Sequence, residues 1–546
     1  MTETKSGPPA AEPAKPGAAR RVAHPALVLL VIAGAQMMVV LDATIVNIAL
    51  PSMGDYFDKS QTDMTWALNA YTLAFGGLLL LGGRSGDLFG RRKMFAIGLG
   101  LFTLGSFLGG IAPTYELMLF GRVVQGIGGA IASPTALSLI TTEFEEGEAR
   151  TRAFAVYAAV SGGGAALGLL LGGILTEFLN WRWVLFVNVP IGAALIVGAL
   201  TYLHESERHR GRIDVLGALL SVVGMVGVVY GFINAANHGW SNGTTIGVFS
   251  AAIVLLVAFV LWEIHTDDPM LPLGVILDRN RGGGYLVMLI VGAAMFGLFY
   301  FVTFFVQQVV GFSALEAGFA FLPVAFVIGI TSQLMTKLMP KFGPKVLIVV
   351  GSTLLTLAMF WYSTVDAGSG YWDKLFPGMI IQAIGMGFIF VPLTTVAVSK
   401  VKNTEAGVAS AMLNVGQQVG GSIGLSVLAT IAATAGRNYA TDNIGEVLAK
   451  APASDRGAIA QFLQSSGSSG PEQDQVKAFI ADHPRSGEFF AGPYHDFANS
   501  LQAHSSGEGF LAAGFFGVAA IVVALILINV KKDDVPSEPP VGVGAA

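Results

Sequence analysis

The chain has no cysteine among its 546 residues. No disulfide framework and no thiolate metal site can be built from it. Charge is scarce as well: Asp, Glu, Lys and Arg make up 12%, against ~25% in soluble globular domains. With a formal net charge of −5, a broad basic face for nucleic acid is excluded. Disorder over most of the chain is excluded too, because it requires low hydrophobicity. What the sequence does have is 53% hydrophobic residues and 70 glycines, with a mean hydropathy of +0.65. That composition is of an integral membrane protein with many spans.

A helix crossing the hydrocarbon core needs ~20 mostly apolar residues. Fourteen stretches qualify: 26–49, 63–83, 94–112, 115–139, 153–177, 182–203, 214–235, 244–264, 284–308, 316–338, 344–364, 373–399, 405–432 and 509–530. The first is too long for a signal peptide and ends without a small-residue cleavage site. An even number of spans puts both termini on one side, and Lys and Arg decide which side is cytoplasmic. Segments on the side of the termini hold 22 of the 31 Lys and Arg, and the short loops opposite hold only Lys59, Arg182 and Lys374. The expected topology is a multi-pass plasma-membrane protein with cytoplasmic termini. Segment 437–507, rich in Ser, Gly, Asp and Gln, carries no span. It reads as an external excursion, and its composition favours a flexible loop over a lid or small subdomain. Residues 1–25 and 533–546 read as disordered tails.

Ionisable residues inside the spans are few, since a charge at depth costs at least ~2.5–3.5 kcal/mol. Two stand out, Asp42 in the first span and Arg122 in the fourth. Each lies eight residues from the external end of its helix, roughly 12 Å deep at 1.5 Å per residue. They are level and opposite in sign. A proton site is one reading, because a carboxylate in low dielectric titrates under the control of its cationic neighbour. The plain alternative is a fixed ion pair pinning two helices, although buried pairs seldom add net stability.

Elsewhere the spans are polar but uncharged. Phe299, Tyr300, Thr303 and Gln307 lie in the ninth span, Asn69 and Tyr71 in the second, and Gln125 in the fourth. Gln333, Gln382, Asn414 and Gln417 lie in the tenth, twelfth and thirteenth. As a set they suit a wet, aromatic-lined substrate cavity; singly, each suits an interhelical hydrogen bond. Gly164, Gly168 and Gly172 recur every four residues in the fifth span, a small-residue ladder that admits close helix approach. The run Gln125-Gly-Ile-Gly-Gly is not a dinucleotide fingerprint, since no strand precedes it and its third glycine position is Ile131. A P-loop lysine motif is absent, and no His, Asp or Glu grouping has metal-ligand or catalytic spacing.

Four motifs bear a resemblance. Leu41-Asp-Ala-Thr-Ile-Val-Asn-Ile-Ala-Leu-Pro51 looks like the helix 1 signature of the fourteen-helix drug:proton antiporters of the major facilitator superfamily. Gly83-Arg84-Ser-Gly-Asp87-Leu-Phe-Gly90-Arg91-Arg92 resembles that superfamily's cytoplasmic loop, and Gly121-Arg122-Val-Val-Gln125-Gly126 its helix 4 motif. Trp181-Arg-Trp-Val-Leu-Phe186-Val-Asn188-Val-Pro190-Ile-Gly192 resembles the entrance to its helix 6. The resemblance implies an all-α membrane fold of fourteen helices. Two six-helix bundles (26–203 and 284–530) would rock around a central site, with an inserted pair at 214–264. It also implies that Asp42 takes up and releases a proton, that Arg122 tunes it, and that Arg84, Asp87, Arg91 and Arg92 gate the cytoplasmic side. At helix 5 the chain departs from the pattern, placing Leu169 where the family has proline; the helix-kinking loss of a backbone donor is then absent. The glycine ladder remains.

The expected activity is multidrug efflux by alternating access, driven by the proton gradient without cofactor or metal. One charge crossing ~100 mV supplies ~2.3 kcal/mol. Spans nine to thirteen carry Asp and Glu only at their ends, at Glu316, Asp373 and Glu405, so lipophilic neutral or monocationic compounds are favoured over dications. Alternatives are a dedicated exporter of an endogenous metabolite, lipid or antibiotic, and a non-transporting sensor or scaffold. Protons, an amphipathic small molecule and lipid are the expected partners of a monomer that acts as no enzyme.

Overall fold

The computed structural model describes residues 24–144, 148–205, 214–266, 269, 273–398, 406–465 and 473–530. The expected tails lie outside this set apart from their innermost residues, 24 and 25. Among the described residues there is no strand. The first group of helices is α1 (Pro25–Phe57), α2 (Gln61–Phe89), α3 (Arg91–Ile111), α4 (Tyr115–Glu143) and α5 (Glu148–Phe178). It is completed by α6 (Trp183–Phe186) and α7 (Asn188–Tyr202), which join through a helical Val187 into one crossing. Next come α8 (Val215–His238), α9 (Gly243–His265) and the short α10 (Leu273–Ile276). The second group is α11 (Arg279–Phe304), α12 (Ala314–Tyr362), α13 (Phe376–Val398), α14 (Ala406–Ala449) and α18 (His495–Leu527). Between the last two stand α15 (Arg456–Ser465), α16 (Gln473–Asp482) and α17 (Gly487–Phe489).

Thirteen helices among the described residues are long and apolar enough to cross a membrane. The 31-residue α5 adds the fourteenth crossing. Polar loops end the helices by capping: Ser60, Thr114, Asp214, Asn242 and Asp278 each accept a first-turn backbone N–H. Ser313 and Glu316 form a reciprocal capping box at the start of α12, satisfying two orphan donors at once. α12 itself is two crossings. Gly343 has φ +76° between Pro340 and Pro344, a left-handed turn that glycine alone adopts readily and that proline prevents from straightening.

α8 packs over the seam between the two groups, where Leu73, Met225, Val229, Ile233 and Val419 form a buried cluster. α9 lies outside α8 and presents Val254, Val257 and Leu261 to the surroundings, as a lipid-facing helix does. The two groups touch mainly in the half remote from the termini. There Tyr300 Oη donates to the Gln61 carbonyl, and Gln307 Nε2 donates to the Ile48 carbonyl at 3.1 Å. Gly173 and Gly318 let α5 and α12 meet backbone to backbone: an added Cβ would lie 2.6 Å from the Ala314 oxygen and 2.8 Å from the Leu169 oxygen respectively. This conformation is closed on the far side.

Segment 437–507 is not the flexible loop that its composition suggested. α14 continues to Ala449, and α15 to α17 fold over it around Val447, Ala451, Ile459, Phe489, Phe490 and Phe497. Phe462 stacks on Phe479 at 4.4 Å, and Phe479 on His483 at 4.3 Å. Average polarity concealed apolar residues spaced three and four apart, such as Ile459, Phe462 and Leu463, which give each short helix one burying face. Burial pushes the Tyr494 hydroxyl up to about 12. Phe490→Ala is expected to destabilise this cap by ~3–5 kcal/mol, seen as faster limited proteolysis within 450–497 with the span helices left intact.

Candidate functional site

The buried centre of the first group is built by five helices. Asp42 and Arg122 are 0% and 1% exposed at their side chains, with Arg122 Nη1 2.5 Å from Asp42 Oδ2. Asp42 Oδ1 accepts from Gln125 Nε2 at 2.9 Å and from Asn188 Nδ2 at 2.8 Å. Gln125 sits one turn after Arg122 on α4, and it also bonds Ser106 Oγ of α3 at 2.6 Å. Asn188 is the first residue of α7 and reaches Asp42 from that helix. α2 contributes twice: Arg122 Nε donates to the Ala67 carbonyl at 2.9 Å, and the guanidinium lies 4.5 Å from the Tyr71 ring centroid. Arg122 Nη2, Asn188 Oδ1 and Tyr71 Oη are buried without a hydrogen-bond partner among the described residues. Such groups are costly in a rigid core and leave this site with unused donors and acceptors.

An acid and a cation held at depth in a bundle of fourteen crossings is a transporter's arrangement. The Major Facilitator Superfamily profile matches residues 32–425. The chain belongs to that superfamily. It is 42% identical over 420 residues to a puromycin resistance protein of Streptomyces alboniger, covering 76% of this chain and 83% of that one. A cephamycin export protein of Amycolatopsis lactamdurans is 36% identical, covering 73% and 83%. A tetracenomycin C resistance and export protein of Streptomyces glaucescens is 30% identical, covering 95% and 94%. In fold, the chain matches a bacterial homolog of the human lysosomal transporter Spinster, solved inward-facing and occupied. That match has a TM-score of 0.60 at 17% identity, covering 93% and 98%. This chain is therefore a multi-pass membrane transporter of the major facilitator fold.

The superfamily loop between α2 and α3 is anchored within the first bundle. Arg91 Nη1 donates to the Ser138 carbonyl at 3.3 Å and Arg92 Nη2 to the Leu200 carbonyl at 2.6 Å. Arg84 is exposed, and the Asp87 side chain lies outside the described residues. Arg182 of the helix 6 motif bonds the Ala112 carbonyl at 2.6 Å and stacks over Trp181 and Tyr56.

The residues expected to share one cavity fall into separate places. Tyr71 and Gln125 belong to the Asp42 centre. Asn69, Tyr300 and Gln307 are spent on contacts between the bundles. Phe299 packs against Phe321, and Thr303 is fully buried. Gln382 and Gln417 are buried beside the sulfurs of Met386 and Met295. Gln333 and Asn414 are both exposed. Gln333 shares its α12 stripe with Phe326 and Ile330, each 69% exposed, a spacing of four and three residues that puts the three on one face of the helix. The sequence reading overlooked Ser106, Ser422 and Ser426 and gave Asn188 no role. Asn188 was legible inside the helix 6 motif, while a lone Ser in a span carries no signal.

The glycine ladder faces α1. Added Cβ atoms at Gly164, Gly168 and Gly172 would meet Val40, Thr44 with Leu41, and Ile45, so the ladder brings α5 against the helix that carries Asp42. At Gly168 the contacts would be 2.0 Å to Thr44 Oγ1 and 2.8 Å to the Leu41 oxygen. Gly168→Val is expected to separate α1 from α5 at ~1–3 kcal/mol, read as a lower melting temperature and slower transport. Gly100, with nothing within 4 Å, takes alanine without either effect.

Proposed function

We propose that the chain exports lipophilic neutral or monocationic drugs or antibiotics in exchange for protons. It would sit in the plasma membrane with both termini in the cytoplasm, a side chosen by the excess of Lys and Arg on the terminal face. The observation that carries this reading is the fully buried Asp42, held by Arg122, Gln125 and Asn188. An ionised carboxylate only accepts hydrogen bonds, and three donors converge on it. A protonated one also donates, and the free Asn188 Oδ1 offers an acceptor once that amide turns over. Proton uptake thereby rearranges contacts among α1, α4 and α7 within one bundle. In alternating access the proton enters Asp42 from outside and leaves inward, while substrate taken from the cytoplasmic side leaves outward. Arg84, Asp87, Arg91 and Arg92 would gate the cytoplasmic mouth, and neither cofactor nor metal takes part.

The resistance and export proteins to which the chain is similar support the drug or antibiotic class. Substrate-dependent proton flux in proteoliposomes tests the reading, with Asp42→Asn as control; flux unchanged in that variant sinks it. A second reading, export of one antibiotic, is favoured by relatives named for a single compound. Competition decides: broad inhibition of transport by unrelated lipophilic cations supports multidrug efflux, and inhibition by one compound class supports the dedicated exporter.

A further inference from the structure

Asn69 is 0% exposed in the middle of α2. Its Oδ1 accepts from Ser422 Oγ at 2.7 Å, and its Nδ2 donates to Ser426 Oγ at 2.9 Å. Both serines lie on α14, in the other bundle, and both are also 0% exposed. Four residues apart, they stand one above the other on a single helix face, so one amide is gripped at both ends. Gly76, two turns along the same face of α2, extends the contact: an added Cβ there would lie 2.8 Å from Gln418 Cβ.

The opposite face of α2 is held by the ion-pair centre. Ala67 and Tyr71, also four apart, receive Arg122 through the carbonyl bond and the ring contact. Asn69 falls midway between them in sequence and ~200° around the helix from each, at ~100° per residue. α2 is thus clamped between Arg122 on one side and α14 on the other, within about one turn. Arg122 is at once the partner of Asp42 and a group that holds α2, through Ala67 and Tyr71.

We infer that Asn69 is the positioning residue that passes the state of the Asp42–Arg122 pair to the closure between the bundles. When Asp42 gains or loses its proton, the pull on Arg122 changes, and with it the hold of Arg122 on Ala67 and Tyr71. α2 then shifts against α14 and resets the amide–serine clamp that keeps the far side closed. A helix fixed at one face only would move without consequence at the interface; the buried clamp couples its movement to closure. The inference rests on the exchange reading of Asp42.

The absence of cysteine makes the test direct. Spin labels at Glu116→Cys and Ala367→Cys, exposed at the far ends of the two bundles, report far-side opening in lipid nanodiscs without substrate. The starting chain is expected to give mainly a short distance. Asn69→Ala is expected to raise the long-distance population about tenfold, in keeping with losing two buried hydrogen bonds. Ser422→Ala with Ser426→Ala, on the other helix, is expected to do the same, and Ser426→Ala alone less. Asp42→Asn is expected to change the populations in the otherwise intact chain and to add little once Asn69 is alanine. A far-side distance unaffected by Asn69→Ala and by the double serine variant overturns the inference. Full additivity of Asp42→Asn and Asn69→Ala, or no change with Asp42→Asn alone, also overturns it. Proton flux in the same Asp42→Asn protein reports separately on the exchange reading, so the two failures are told apart.

Discussion

Asp42→Asn is expected to lower substrate-driven proton flux on the order of 10²–10⁴-fold, the range for losing a group that transfers a proton. The amide can still accept from Arg122 Nη1 and occupies nearly the same volume, so the helices around it stay in contact. It cannot take up and release a proton between pH 5 and 9. Substrate counterflow moves no net proton and should persist in this variant. Persistence of counterflow with loss of flux separates a failed coupling step from a misfolded protein. Asp42→Glu should retain part of the flux, limited by the extra methylene in a site that is 0% exposed.

Arg122→Met is expected to have the largest effect on stability. It removes the charge partner of a carboxylate that has no access to water, and breaking a buried pair from one side costs about 3–5 kcal/mol. Gln125 and Asn188 remain as donors to Asp42 Oδ1, but neither carries charge. Thermal unfolding in detergent should show a large fall in the melting temperature for Arg122→Met. Combining it with Asp42→Asn should restore much of that loss while leaving proton flux absent. A double variant as unstable as Arg122→Met alone would mean that Arg122 acts through Ala67 and Tyr71 rather than through the carboxylate.

Part of this site could be read from the sequence. Asp42 and Arg122 were visible because charge at depth is rare in spans, and equal offsets from two helix ends put them level. Their contact needed no long-range information beyond antiparallel helices. Asn188 was less legible: its motif was apparent, but its use depends on how the helix that carries it packs against α1 at the height of Asp42. The polar residues of the later spans were the least legible. Gln333, Asn69 and Tyr300 are all uncharged polar residues within spans, yet one is exposed, one joins two helices across the bundles and one reaches a carbonyl of the opposite bundle. Which way a side chain points depends on helix rotation, and apolar residues on every face of a membrane helix leave rotation nearly unmarked. The cap at 437–507 was misread for a different reason, since averaging over polar residues hides a narrow apolar stripe.

The sequence by itself determined the membrane class, the fourteen crossings, the sidedness of charge and the single deep acid–base pair. Each follows from the cost of placing polar or charged groups in hydrocarbon, a cost that acts on local composition. Only the tertiary structure decided that Gln125 and Asn188 complete the carboxylate's shell, that the glycine ladder faces α1, and that Asn69 links the bundles. Those assignments depend on distances between residues up to 357 positions apart, set by how helices rotate and pack, and one-dimensional hydropathy carries no term for either.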